Sequence, residues 1–135
     1  KTWVVGGAPD GTSALAASAT AEAMRVIEDA MRPGTGITEL QRLGRVVYRQ
    51  MGVPRPESVL IFFHGLGLSH MDLEEIQSDG TFLGDWCMEA GMVVATHLLW
   101  PGGTKARIWL EDVALVGLEG AEPFFRWDFD PITGP

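Results

Sequence analysis

The chain has 135 residues, 46% hydrophobic and 21% charged, with a formal net charge of −8, enough for one buried core and too little for two comfortable ones. Its ten Lys and Arg residues are scattered and form no basic stripe, which argues against nucleic acid and anionic membranes as partners. No run of about 18 apolar residues is present to span a bilayer, the start is not signal-like, and the single Cys87 permits neither an internal disulfide nor a multi-cysteine zinc site, so a reducing, cytoplasmic setting fits.

Lys1-Thr2-Trp3-Val4-Val5 reads as a strand already under way, so chain upstream of Lys1 is expected. Gly6-Gly7 and Pro9-Asp10-Gly11 close that strand in a turn. From Thr12 or Ser13 to Met31, Leu15, Ala19, Ala23, Val26, Ile27 and Ala30 recur at helical spacing, with Glu22, Arg25, Glu28 and Asp29 off the stripe. Pro33-Gly34 stops this helix. A second is expected from Thr38, where Thr38 and Gln41 have the capping-box pattern, to Gly52 and Pro54. The period then changes. Residues 59–63 form a buried strand leading into His64, residues 69–89 are acidic and irregular, and residues 92–100 and 106–116 are strands joined by Pro101-Gly102-Gly103-Thr104. Glu119-Gly120 makes a further turn, and the aromatic, acidic tail around Phe124 to Phe129 is expected to pack on its own domain. Helices followed by strands give an α+β class.

Four residues in this layout could carry chemistry. His64 stands where an apolar strand gives way to Gly65-Leu66-Gly67, where glycines let backbone or ligand come close. Neutral imidazole there is a metal ligand, or a core histidine satisfied by a carbonyl. Glu111 shares a strand face with Arg107, Trp109 and Val113. On a buried face it needs a metal or a cation; on an exposed one, Arg107 is its natural partner. His97, on one face with Ala95 and Leu99, is a candidate ligand or general base, or a hydrogen-bonded core residue. His70, six residues after His64, could bind substrate or shuttle a proton, or be merely solvated. The acidic residues Asp72, Glu74, Glu75, Asp79, Asp85 and Glu89 lack the alternation and glycine of a calcium loop. No dinucleotide fingerprint, phosphate loop or G-x-S-x-G elbow is present.

Taken together, these pieces resemble the catalytic domain of the pita-bread family: methionine aminopeptidases, prolidases, Xaa-Pro aminopeptidases and creatinase. Lys1 to Gly6 looks like the strand after that family's second aspartate ligand, and Met31-Arg32-Pro33-Gly34 like its R-P-G turn. His64-Gly65-Leu66-Gly67 matches H-G-x-G, Gly91-Met92-Val93-Val94 matches G-M-V, and Leu110 to Val116 matches E-D-x-x-L-V. The resemblance implies a curved antiparallel sheet with helices on its convex back and His64, His97 and Glu111 on the concave side. It makes residues 1–135 the C-terminal portion of one catalytic domain, truncated on its N-terminal side.

In metal-dependent members two aspartates, the turn histidine and two glutamates hold two divalent ions that activate a water. Carried over by position, His64 and Glu111 are metal ligands, His97 stands where a glutamate is expected, and Leu98 where a proline is. His70 takes the part of the substrate-orienting histidine, six residues on rather than seven, and the aspartates would lie upstream of Lys1. The implied function is a metal-dependent hydrolase of the Xaa-Pro peptidase type, with His64 and His70 serving catalysis. Its divalent ions would be manganese, zinc or cobalt, two in the full-length protein, with none bound by this piece as the open alternative. Its partners would be a short-peptide or small-molecule substrate and a second copy in a homodimer. Creatinase implies an alternative, a metal-independent hydrolase or small-osmolyte lyase with histidine as acid and base. A non-catalytic peptide-binding relative is the other.

Overall fold

A computed structural model describes residues 3–4, 9–66, 84–102, 107–125, 128–129 and 132–133 of the chain. In chain order the elements are β1 (Trp3–Val4), α1 (Gly11–Ala30), α2 (Ile37–Gln50), a 3-10 turn (Pro56–Ser58), β2 (Leu60–Gly65), β3 (Val93–Trp100), β4 (Ile108–Val116), β5 (Ala121–Pro123) and β6 (Ile132–Thr133). β1 and β6 pair in parallel, joining the two ends of the chain. The other four strands form one antiparallel sheet in the order β2-β3-β4-β5.

Both helices lie where the apolar stripes put them, but each starts differently. α1 begins at Gly11 because Asp10 is its cap: the carboxylate accepts from the Ser13 N–H at 2.7 Å, satisfying one of the free donors of the first turn. In α2 the cap position is Gly36, which has no side chain to offer. The Thr38–Gln41 capping box does not form. Asp85, arriving from far along the chain, accepts from the Thr38 N–H at 2.9 Å. The segment around it runs beside the helix start, with Gly36 bridged to Cys87 and the Ile37 N–H donating to the Trp86 carbonyl at 3.1 Å. The Gln41 amide instead donates to the Ile61 carbonyl at 3.0 Å, tying α2 to β2.

The helices cross on small residues. Ala16, Ala19 and Ala23 are fully buried, and an added side chain at Gly44 would sit 2.7 Å from Ile61 and 2.9 Å from Ile27. Tyr48 donates to the Thr20 hydroxyl at 2.7 Å, and Thr20 donates to the Ala16 carbonyl at 2.7 Å, linking the two helices through their buried sides.

Alternation along the strands sends one set of side chains to the helices and the other away from them. Ile61 and Phe63 of β2, Val94, Leu98 and Trp100 of β3, and Ile108, Leu110 and Val116 of β4 join the helices in one core. Phe129 from the tail joins it too, under the Arg25 guanidinium, 5.7 Å from the ring centre. The α+β architecture with helices on one face of an antiparallel sheet is the one expected.

Candidate active site

The sheet face turned away from the helices carries His64, His97 and Glu111. In antiparallel strands directly opposed residues share a face. The register opposes Phe62 to His97 and His97 to Glu111, giving one row across three strands. Leu60, Leu99 and Trp109 form the next row on one side, and His64, Ala95 and Val113 the next on the other. His64 and His97 therefore meet diagonally.

Their Nε2 atoms are 2.9 Å apart. The ring centres are 5.0 Å apart with planes 29° from parallel, close to the largest separation a contact that short allows, so the imidazoles meet tip to tip. His64 is anchored at its other nitrogen, Nδ1, which lies 2.9 Å from the Gly65 carbonyl. His97 is held from two more sides. Phe62 stacks on it at 4.5 Å with planes 4° apart, and the Trp109 ring stands edge-on at 6.0 Å, its indole N–H donating to His97 Nδ1 at 3.3 Å. Both histidines are buried, at 3% and 7% exposure.

Glu111 lies at the rim. One of its oxygens is 3.7 Å from His97 Nε2, and half of its side chain is exposed. The condition under which it would need a metal, full burial of its face, is not met: Trp109 and Glu111 are both open to solvent while Ile108, Leu110 and Asp112 are buried. Its ionic neighbour here is His97. The costly carboxylate of this strand is the next residue. Asp112, 3% exposed, points into the helix–sheet interface, where Glu28 of α1 faces it. Burial first, then the Asp112 carboxylate, push the Glu28 carboxyl up to about 8, and burial also raises Asp112.

The sequence reading brought His64, His97 and Glu111 together and the structure does the same; His70 lies outside the described residues. That reading passed over Phe62 and the Glu28–Asp112 pair, and it placed Trp109 on the face of Glu111 without giving it a role. Period-two alternation could have found Phe62, which stands two residues before His64. It also places Asp112 opposite Glu111 in direction.

Two imidazoles and a carboxylate suit a borderline divalent ion by donor type. As arranged they do not fit one, because the nitrogens an ion would need point at each other. Among the described residues no group of three His, Cys, Asp or Glu side chains is placed to hold an ion.

The fold has counterparts among solved structures. Dipeptidase PepE from Mycobacterium ulcerans matches with a TM-score of 0.78 and 21% identity, over 97% of this chain and 34% of that one. An X-Pro aminopeptidase from Thermotoga maritima gives 0.78 and 18%, over 98% and 36%. An Xaa-Pro dipeptidase from Bacillus anthracis gives 0.72 and 20%, over 97% and 35%. The fold is thus pita-bread, and the chain spans about a third of the length of these structures. A search of curated protein sequences finds no match. Residues 1–117 match the profile of Metallopeptidase family M24, and the chain belongs to that family.

Proposed function

We propose that this protein hydrolyses a short peptide-like substrate of the Xaa-Pro type on the open sheet face. The observation that carries the reading is the convergence of His64, His97 and Glu111 there, at 2.9 and 3.7 Å, in a chain of a metallopeptidase family. Cleaving an amide with water requires a group that takes the water's proton and one that protonates the leaving nitrogen. A bare imidazole nitrogen facing a protonated one supplies both. Glu111, at the rim beside His97, stabilises positive charge that develops on the imidazoles. The apolar row of Leu60, Leu99 and Trp109 adjoins them and offers a wall for an uncharged substrate group.

The divalent ions usual in the family would draw on His64 and Glu111 by donor type, and the tip-to-tip contact must open before they can. That contact favours a second reading, a metal-independent hydrolase or lyase whose proton transfers run through the imidazole pair. The test is hydrolysis of an alanyl-proline dipeptide by the protein, by His64→Ala and by Glu111→Ala, each before and after exhaustive chelation. Loss of His64 should lower the rate by about a hundredfold or more. Undiminished activity in both variants would sink the assignment, and survival of activity through chelation selects the metal-independent reading.

A further inference from the structure

We propose that Trp109 is a positioning residue that fixes the proton of His97 on Nε2, and through it sets the direction of the hydrogen bond between the two histidines. Three contacts determine this without appeal to any substrate. The indole N–H can only donate, so His97 Nδ1, 3.3 Å away, accepts and is bare. The neutral His97 ring then carries its one hydrogen on Nε2. That hydrogen lies in the 2.9 Å gap to His64 Nε2, so His64 Nε2 is the acceptor. The Gly65 carbonyl can only accept, so His64 carries its hydrogen on Nδ1, 2.9 Å from that oxygen. Each link fits the next: Trp109 donates to His97, His97 to His64, and His64 to the backbone of its own strand.

The alternative tautomer of His97 would put a hydrogen on Nδ1 directly against the indole N–H. Phe62, stacked at 4.5 Å, keeps the ring from turning to avoid it. His64 Nε2 is accordingly the accepting end of the pair, and His97 reaches an ion through Nε2 only by giving up its bond to Trp109. The inference deepens the proposed function by assigning proton positions in the same site, and it does not depend on turnover.

The test is a long-range proton–nitrogen correlation spectrum of the imidazoles in nitrogen-15-labelled protein at pH 8 without divalent ions. His97 should show the Nε2-protonated pattern and His64 the Nδ1-protonated one, with a nitrogen–nitrogen coupling across the hydrogen bond between them. In Trp109→Phe the ring remains and the donor is gone. His97 Nδ1, left without its donor, should then shift, and the tautomer equilibrium should lose about fivefold of its bias towards Nε2, the worth of one neutral hydrogen bond, while the bond to His64 keeps the remaining bias. A Trp109 that merely packs would leave the His97 nitrogens unmoved, and that result overturns the proposal. So does a wild-type His97 protonated on Nδ1, which decides the matter even if the variant fails to fold. Failure of the hydrolase reading would show in the dipeptide assay and leave these spectra unchanged.

Discussion

His97 is gripped on three sides by chemically different neighbours: a stacked ring from β2, an indole donor from β4 and an imidazole tip from β2. It also stands where the family resemblance expects a glutamate. His97→Glu would exchange the tip-to-tip nitrogen contact for a carboxylate and leave His64 Nε2 without its donor. Divalent-ion binding should then rise, with preference moving from zinc towards manganese as an oxygen donor replaces a nitrogen. Titration calorimetry of both proteins with each ion reads this directly; equal affinities would mean that residue 97 does not face the ion. At this scale the sequence disclosed the polar residues and hid their packing. His64, His97 and Glu111 stand out because a polar group in an apolar strand is conspicuous. Phe62 and Trp109 do not, because an aromatic residue in a strand looks like ordinary core. In β4 the alternation settles what was left open for Glu111, and the adjacent carboxylates Glu111 and Asp112 divide between solvent and core.

The elements owe their ends to distant chain. α2 takes its first-turn acceptor from Asp85, 47 residues away, and an Asp85→Ala change should cost about 1 kcal/mol, as lost helix caps do. Thermal denaturation should show a drop of a few degrees; no change would mean that solvent serves the Thr38 N–H equally well. No local pattern could reveal such a cap, and the Thr38–Gln41 box was a local signal overridden by tertiary structure. β3 shows the converse. Leu98 replaces the proline of the family pattern, and the ladder runs unbroken through it to Trp100, opposite Ile61 and Leu110. It is fully buried, so Leu98→Ala should cost about 2–5 kcal/mol, measurable by denaturant unfolding; a loss below 1 kcal/mol would mean that the helix layer closes over the gap.

For the whole molecule, the joint between helices and sheet contains an acid that burial pushes towards its uncharged form. The Glu28 carboxyl is pushed from 4.5 up to about 8, so it ionises in the unfolded chain at lower pH than in the fold. Its neutral form is favoured by folding, and that advantage is intact below 4.5 and is lost as pH rises to about 8. Melting temperature should accordingly decline between pH 5 and 8, and Glu28→Gln, neutral throughout, should flatten the decline. An unchanged slope in the variant would place the proton elsewhere. The fold class was legible from periodicity, since helical and strand spacings separate cleanly along the chain, and the layer order came from the family resemblance. The pairing of Glu28 with Asp112 was not, because it joins a helix to a strand 84 positions later (112 less 28).

The row Phe62–His97–Glu111 exists only because three strands are paired in one register. Sliding β3 by a single residue would turn Thr96 outward and bury His97 beneath the helices. A one-residue insertion or deletion within residues 93–100 therefore changes which side chains this face presents as well as the structure. The imidazole contact is, in the same way, a built-in gauge of assembly: it appears in a spectrum when the ladder has closed correctly and in no misaligned form of the protein.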